Sequence, residues 1–531
     1  MEIKLLDCTL RDGGYVNNWN FGYSTIICIF ERLVSANIDA IEVGFLDERV
    51  DFNLDHTIVP NTDGFDKIFK NVDKKNSLVF AMIDYGTCGI NNIAPRKETF
   101  IDGIRIIFKL KDMHGALEFA QQVKDKGYLV SLQLVSITSY SDRDVLDLID
   151  LANSLKPYAV SIVDTYGLLH KEETLHYFDL LNKNLSRDII IGYHSHNNFQ
   201  LAYANTVELI KTNPNRIIMV DGTAYGMGKS AGNAPLELLA MYLNENYNGN
   251  YDINQILEAI DNSVMRFYKE QYWGYSLMYF LAALNDCHPK YITYLLNKKT
   301  LSIKSINEIV NKIDQDKKLS YNESHIEQIY TYYQEHFIND DEHQHSLKKV
   351  MMGRTILILA PGKSLITEFS KIQNYIQSTR PVVVSVNTVP DGYNIDFVFI
   401  SNSKRYGMLF EQLHNYKNNF NVIATSNITS ANGDFDYVLD YSKLLDENPV
   451  IADNSAIMFL RFLSNIGIRN IVFAGFDGFS TDNDNYYDKN LDFKSDSNYL
   501  HSVNMAIKQR IADLSRKIYI SFLTPSLYEV E

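Results

Sequence analysis

The sequence predicts an α/β protein: a closed (β/α)8 barrel (TIM barrel), then a helical appendage, then a Rossmann-like α/β domain. Three observations predict it. Residues 1–250 repeat a β-branched apolar run followed by an amphipathic stretch, residues 251–345 show helical spacing without a strand pattern, and strand–turn–helix units return in residues 350–531. Since single cores seldom exceed ~250–300 residues, a chain of 531 residues should contain several domains.

The apolar runs of the first region are the predicted barrel strands. Stretches such as VSLQLVSI are apolar almost throughout, which is typical of parallel strands buried on both faces. An open doubly wound sheet fits the same count, but it would not bring residues of the first and last strands together. The predicted strands are Ile3–Thr9, Ile38–Phe45, Leu78–Asp84, Gly103–Lys109, Leu129–Ile137, Ala159–Thr165, Ile189–His196 and Arg216–Thr223.

The later regions are separated by a polar run of mixed charge, Asn339–Lys349, which is the predicted linker. After it, the segments TILILAPG, PVVVSVN, IDFVFIS, FNVIAT and NIVFAGFDG predict the strands of an open α/β sheet.

Composition limits the function classes. A hydrophobic fraction of 46% and 35 tyrosines provide for packed cores, while a formal net charge of −15 argues against nucleic-acid binding. We find no apolar stretch of the ~20 residues that span a bilayer and no leader pattern, so we expect no membrane partner and a soluble, cytoplasmic protein. The four cysteines lie far apart, as free thiols do.

The pair His194 and His196 is the strongest chemical signal. Two residues apart on the seventh strand, both side chains point to one face at the carboxyl end, where barrel active sites lie. Alone, such a pair is more often structural. In a closed barrel, however, the turn TLRDGG after strand one is near, so Asp12 would add an oxygen ligand and Arg11 a cation beside it.

A glycine-dense segment, DGTAYGMGKSAGN, follows strand eight and allows close backbone approach to a ligand. Its last residue, Asn233, is either a fourth metal ligand or a helix N-cap. The embedded GKS is not a phosphate-binding loop, because Thr223 stands where that motif requires glycine.

The motifs TLRDGGY, IEVGF, SIVDTYG, GYHSHNNFQLAYANTVELI and VDGTAYGMGKSAGNAPLELL resemble the metal-dependent lyases that include hydroxymethylglutaryl-CoA lyase, isopropylmalate synthase and, above all, 4-hydroxy-2-oxovalerate aldolase. The resemblance runs from about Lys4 to Thr300. It implies a homodimer with Mn²⁺ or Mg²⁺ as cofactor. It assigns the metal to Asp12, His194, His196 and Asn233 or a neighbour of that site, enolate stabilisation to Arg11, and a place near the substrate to Tyr275.

Tyr15 departs from the aldolase pattern, in which a histidine base follows the RDG turn. With an ordinary pKa near 10, tyrosine is a poor base at neutral pH. A tuned Tyr15, a metal-bound water or a different substrate are the open explanations. The cysteine-containing glycine loop of the CoA lyases is also missing, which argues against a CoA-ester lyase.

Other strand-end residues have two interpretations each. Glu42 and Asp164 are predicted substrate-binding residues, with a structural role as the alternative. Lys109 would suit a Schiff-base aldolase, which the metal ligands disfavour.

The segment LILAPGKSL predicts a strand, a turn and a helix start that can receive a phosphate. Residues Arg354–Leu500 loosely resemble the Rossmann-like bacterial sialyltransferases. The resemblance implies that Gly362, Ser364 and Asn387 bind a nucleotide or nucleotide-sugar cofactor; a degenerate assembly domain is the alternative.

Together these features predict an aldolase that joins a 2-oxo acid to an aldehyde, or cleaves the resulting 4-hydroxy-2-oxo acid through a pyruvate enolate, in bacterial surface-sugar synthesis. The alternatives are a Claisen-type acyl-CoA condensation, a 2-His-1-carboxylate iron oxygenase, and a non-enzymatic scaffold whose metal site has lapsed.

Overall fold

The computed structural model describes residues 2–298, 300–318, 320–334, 338–415, 419–428, 435–480, 484–491 and 496–529. The chain divides into two compact units, Met1–Pro289 and Lys290–Glu531.

The first unit is a closed parallel barrel. Its strands follow the order β1-β9-β8-β7-β6-β5-β4-β2, and β1 also pairs with β2, which closes the cylinder; the two-residue β3 adds to β2 from outside. All eight predicted strands are confirmed, each boundary within about two residues. The strands are β1 Ile3–Asp7, β2 Ala40–Leu46, β3 Ile58–Val59, β4 Leu78–Asp84, β5 Gly103–Phe108, β6 Leu129–Val135, β7 Ala159–Asp164, β8 Ile190–Ser195 and β9 Ile218–Gly222.

Helices surround the barrel because each buries one apolar face against it. In Tyr23–Ser35, for example, Ile26, Ile29, Phe30 and Leu33 are buried on one side. The helices of this unit are Thr9–Asp12, Gly14–Asn17, Tyr23–Ser35, Thr62–Phe69, Met113–Asp125, Asp142–Leu155, Lys171–Asn184, Ala202–Lys211, Leu236–Tyr247, Ile253–Ala259, the π-helical turn Ile260–Val264, Met265–Glu270 and Leu277–Leu284.

The barrel interior is polar toward its carboxyl end. Glu42, Arg105, Gln133 and Asp221 are fully or almost fully buried there. Gly192 on β8 leaves room for this layer, since a Cβ atom at that position would lie 2.1 Å from Ser161 Oγ.

The second unit contains an open, parallel, seven-stranded sheet, as predicted, in the order β14-β13-β12-β11-β10-β15-β16. The chain starts at β10 in the sheet interior, builds outward to β14, and then returns to the other side of β10. This reversal creates a topological switch point between β10 and β15. The strands are β10 Ile356–Leu359, β11 Val382–Val386, β12 Phe397–Ile400, β13 Asn421–Thr425, β14 Tyr437–Leu439, β15 Asn470–Ala474 and β16 Tyr519–Phe522.

Helices from residue 289 onward include both the short segments before the sheet and those that flank it. They are Pro289–Asn297, Ile303–Val310, Glu323–Gln334, Asp341–Met351, Ser364–Thr367, Phe369–Thr379, Ser403–Asn415, Tyr441–Leu444, Ser455–Asn465 and Ser497–Ser515. In the part of the chain that the structure describes, no helix combines the length and apolar character needed to cross a bilayer.

Two expectations about domain organisation differ from the structure. The helices predicted as one appendage over residues 251–345 are shared between the two units, which divide after Pro289. The predicted linker Asn339–Lys349 is largely the helix Asp341–Met351, so that prediction was wrong. Its composition is polar, yet Leu347 and Met351, four residues apart, are buried in the core of the second unit.

Candidate metal centre and active site

Asp12, His194 and His196 meet at the carboxyl end of the barrel. The short helix after β1 carries Asp12, whereas His194 belongs to β8 and His196 lies just beyond it. Asp12 Oδ2 is 3.5 Å from His194 Nε2 and 3.9 Å from His196 Nε2, and all three residues are almost fully buried. Ligand atoms at such separations can share one cation at the usual distance of ~2.1 Å.

Asn233 completes this group from the glycine loop, residues 222–233. Its Nδ2 donates to Asp12 Oδ1 over 3.1 Å, while its buried Oδ1 has no hydrogen-bond partner among the described residues. Gly228 makes this approach possible, because a Cβ there would lie 2.6 Å from Asp12 Oδ1. An unsatisfied buried oxygen beside three potential ligands fits a fourth ligand position.

The protonation states of Asp12 and His196 favour metal binding. Although burial opposes ionisation, Arg11 and both histidines hold the pKa of Asp12 well below its usual value. Burial lowers the pKa of His196 to about 3, so its ring is neutral. Carboxylate and neutral imidazole are the forms that bind cations.

Cys8, His194 and Asp221 form a second cluster with metal-like spacing. Here His194 Nδ1 lies 3.0 Å from Asp221 Oδ2, a hydrogen-bond distance, and 3.8 Å from Cys8 Sγ. Burial raises the pKa of the Cys8 thiol well above its usual value. Cys8 and Asp221 both lie at Nδ1 of His194, whereas Asp12 lies at Nε2.

A buried ion network links these residues to the barrel interior. Arg11 donates through Nε to Glu42 over 2.7 Å and through Nη1 to Asp12. Arg105 pairs with Glu42 over 3.1 Å and with Asp221. Glu42 is thus a buried partner of two arginines, and its substrate contact stays a prediction.

Comparison with known proteins gives the barrel a family. Residues 2–262 match the model of the HMGL-like family. This region belongs to the HMGL-like family. The oxaloacetate decarboxylase of Mycobacterium tuberculosis is 26% identical over 50% of this chain and 77% of its own length. The 4-hydroxy-2-oxovalerate aldolase 2 of Salinispora arenicola is 24% identical over 51% and 76%, respectively.

A 2-isopropylmalate synthase of Lactococcus lactis is 27% identical over 46% of this chain and 48% of its own length. Among solved structures, the N-terminal domain of a putative aldolase from Bacteroides vulgatus is 24% identical over 57% of this chain and 99% of that domain, with a TM-score of 0.48. The relatives of this region are thus named as aldolase, decarboxylase and synthase. The sialyltransferase resemblance of Arg354–Leu500 stays a prediction.

Tyr15 stands at the mouth of the HMGL-like barrel but not as a tuned base. The residue is 40% exposed, and burial raises the pKa of its hydroxyl to about 12. The phenol therefore keeps its proton at neutral pH and can donate a hydrogen bond. This direction argues against a tuned Tyr15, and the catalytic role of the residue stays a prediction.

Two other predicted residues are not joined to the centre. Tyr275 is 51% exposed in the loop before the helix Leu277–Leu284, without a hydrogen bond to the ligand residues in the described structure. Asp164 accepts the backbone N–H groups of Leu168 and Leu169, and burial raises its pKa to about 7. Asp164 thus caps the turn at the end of β7, and its predicted role in substrate binding stays a prediction.

Lys229 was missed as a site residue. The sequence shows it only as part of a failed GKS motif, but its backbone N–H donates to Asp12 Oδ1 over 2.9 Å. Because the glycine loop packs against the turn after β1, Lys229 lies beside the predicted metal ligands.

In the second unit, Gly362 and Asn387 line one cavity of about 240 Å³ at the carboxyl ends of β10, β11 and β15. Ser364 does not line it. Its N–H and hydroxyl both donate to the carboxylate of Asp477, which occupies the place a phosphate would take at this turn.

Proposed function

We propose that the barrel is a divalent-metal-dependent aldolase that forms or cleaves the carbon–carbon bond of a 4-hydroxy-2-oxo acid. The approach of Asp12, His194 and His196 to one point, with the unsatisfied Oδ1 of Asn233 beside them, carries this proposal. Two relatives are named for 2-oxo acids, oxaloacetate and 4-hydroxy-2-oxovalerate. The carboxylate and amide oxygens of the group favour Mn²⁺ or Mg²⁺.

A divalent cation at these ligands supplies Lewis-acid stabilisation of the negative charge that develops on a 2-oxo acid. The surrounding residues set the charge and the orientation of the predicted ligands. Arg11 keeps Asp12 ionised, and Asp221 accepts a hydrogen bond from His194 Nδ1, so that Nε2 faces Asp12. Arg11 adds a fixed positive charge beside the developing enolate oxygen.

In the aldol direction, C3 of pyruvate loses a proton and bonds to the aldehyde carbon, while the aldehyde oxygen takes up a proton and becomes the 4-hydroxyl. Tyr15 stays protonated and can donate a hydrogen bond to that oxygen. It does not remove the proton from C3. Water is the acceptor available for the C3 proton near neutral pH, and the oxyanion that forms on C–C bond formation takes up a proton to become the 4-hydroxyl.

The test is exchange of the pyruvate methyl protons in D2O with Mn²⁺, followed by proton NMR. The wild type should exchange them, and Asp12→Asn should lose this activity by at least about a hundredfold because a charged ligand is removed. The matched control is Asp63→Asn, which removes an exposed carboxylate from the helix Thr62–Phe69. Absence of exchange in the wild type contradicts the proposal.

The same preparation separates the alternatives. Free thiol released from an acyl-CoA and a 2-oxo acid would indicate a Claisen condensation, and oxygen uptake with Fe²⁺ an oxygenase. A protein that retains no stoichiometric metal and binds no pyruvate would be the scaffold.

For the second unit, we propose binding of a nucleotide or nucleotide-sugar in the 240 Å³ cavity, which would link the aldolase to surface-sugar synthesis. Its place beside the topological switch point supports a ligand site. Phe476, Tyr486 and the buried Arg405 line it together with Gly362 and Asn387, which suits a ring and an anion. Calorimetric titration with CMP and UDP-hexose should show binding that Arg405→Met weakens by about tenfold or more. If neither CMP nor UDP-hexose binds, the proposed nucleotide site is contradicted.

A further inference from the structure

Lys229 is a mostly buried cation at the mouth of the barrel that lacks an anionic partner. Among the described residues, no carboxylate oxygen lies within 4.0 Å of its Nζ, and none accepts a hydrogen bond from it. The two buried arginines nearby differ, since Arg11 and Arg105 each pair with two carboxylates. A desolvated charge without a counter-ion is costly, so its retention calls for a partner that arrives from outside.

The position of Lys229 follows from the glycine loop. Its backbone N–H donates a hydrogen bond to Asp12, and the absence of a side chain at Gly228 allows the loop to pass this close to Asp12 and Asn233. Its Nζ lies 5.4 Å from the ring centroid of Tyr15 and 5.7 Å from that of Tyr166. Cation–π contact with two rings fixes the ammonium group without neutralising it.

These rings place the ammonium group over the open end of the barrel. Tyr15 lies in the helix Gly14–Asn17, which follows the β1 turn, and Tyr166 lies in the turn after β7. Both loops belong to the carboxyl face, where the metal ligands also lie. A substrate that reaches the ligands with its 2-oxo acid end therefore passes the ammonium group with its remaining part.

The overall charge does not explain this feature. With a net charge of −15 the protein repels anions at long range, so a single cation beside the ligands acts locally. The charges around Lys229 alternate in sign: Asp12 and Asp84 favour its charged form, whereas Arg11 and Lys109 oppose it.

We propose that Lys229 binds an anionic group, a carboxylate or a phosphate, at the end of the substrate remote from the 2-oxo acid. The aldehyde partner then belongs to the class that carries such a group. This inference rests on the proposed aldolase function for its chemistry, but the binding of the anion itself does not require turnover.

The experiment compares three ligands of equal chain length with Mn²⁺ present: 2-oxopentanoate, 2-oxoglutarate and 2-oxo-4-phosphonobutanoate. They differ only in a methyl, carboxylate or phosphonate group at the far end, so the two anionic arms distinguish the two sources of charge. Calorimetry on the full chain should show at least one anionic ligand binding about tenfold or more tightly than 2-oxopentanoate. Lys229→Met should bring that ratio close to one, and Lys229→Arg should keep most of it.

Equal affinity for all three ligands in the wild type overturns the inference. So does a Lys229→Met variant that loses affinity for all three by the same factor, because Lys229 would then serve the shared 2-oxo acid end. Pyruvate proton exchange is measured on the same wild-type preparation. Its absence, together with a Lys229-dependent preference for anionic ligands, would reject the aldolase function and keep the anion site.

Discussion

His194 meets a carboxylate at each ring nitrogen, Asp221 at Nδ1 and Asp12 at Nε2. A histidine between two acceptors can donate only one proton when it is neutral, and the shorter contact, 3.0 Å, is the one to Asp221. That leaves the Nε2 lone pair toward Asp12 and the shared cation position. The orientation of this ring therefore depends on Asp221, which lies at the ring nitrogen that faces away from the predicted metal position.

Asp221→Asn tests this dependence. An amide can present its N–H to Nδ1 and so reverse the tautomer, which should weaken Mn²⁺ binding by about 10–100-fold. Electron paramagnetic resonance titration of free Mn²⁺ measures the affinity, and thermal unfolding checks that the barrel persists despite the change at Arg105. Asp84→Asn, an exposed carboxylate at the end of β4, serves as the matched control. Unchanged affinity in Asp221→Asn would mean that packing alone orients His194.

Asp7 predicts a pH effect on stability away from the ligands. It accepts hydrogen bonds from the Thr9 N–H and hydroxyl, but burial raises its pKa to about 7. The unfolded chain loses this proton near pH 4 and the folded chain near pH 7, so the free energy of unfolding should fall as pH rises between these values. The loss amounts to at most about 4 kcal/mol.

Urea unfolding from pH 4.5 to 7.5 checks the slope. Asp7→Asn should make the slope shallower, since no proton is released there, while Asp164, whose pKa is likewise raised to about 7, supplies a remaining part. Asp63→Asn on an exposed helix should leave the slope as in the wild type. A slope as steep in Asp7→Asn as in the wild type would assign the effect to other buried groups.

At the residue scale, strand periodicity and barrel closure were enough to predict that Asp12, His194 and His196 lie close together. Asn233 was predicted from the end of the glycine loop, as a ligand or a helix N-cap, and metal binding by these residues stays a prediction. It did not find the roles of Arg105, Asp221 and Lys229. Arg105 and Asp221 are 116 residues apart and pair across the barrel interior, and local spacing carries no signal for such a contact. The position of Lys229 could not be predicted from the sequence, because it depends on the path of the glycine loop.

At the scale of elements, strands were easier to predict than helices of mixed polarity. The barrel strands are buried along almost their whole length and are rich in apolar, β-branched residues, so their bounds could be predicted from composition. The helix Asp341–Met351 was taken for a linker because its exposed residues outnumber the few that pack, a balance that only the second core reveals.

Two glycines within regular elements should respond to alanine with opposite signs. Gly192→Ala puts a methyl group 2.1 Å from Ser161 Oγ inside the barrel and should cost about 1–3 kcal/mol. Gly407 lies exposed in the helix Ser403–Asn415 with nothing within 4 Å of an added Cβ, so Gly407→Ala should stabilise by up to about 1 kcal/mol. Urea titrations measure both. A stable Gly192→Ala would mean that β8 shifts to admit the methyl group.

At the scale of the whole molecule, the two units have separate cores. The barrel buries its own apolar cluster, and the second sheet is covered by clusters composed of residues beyond 346. Each meets the usual requirement for independent folding.

We therefore expect the fragment of residues 1–289 to fold alone and to bind Mn²⁺ with an affinity within about threefold of the full chain. Circular dichroism and Mn²⁺ titration measure this, with the Asp12→Asn fragment as the control without a complete ligand set. An aggregated or unfolded fragment would show that the second unit is needed for the stability of the barrel.

The ligand residues come from opposite ends of the barrel sequence, since 221 positions separate Asp12 from Asn233. During synthesis Asp12 leaves the ribosome first, long before its partners exist. An ion can be captured only once β9 has joined β1 and the glycine loop has been laid over the first turn. A bound metal ion would then connect the first and last parts of the barrel to be synthesised, and it would bind only after the barrel has closed.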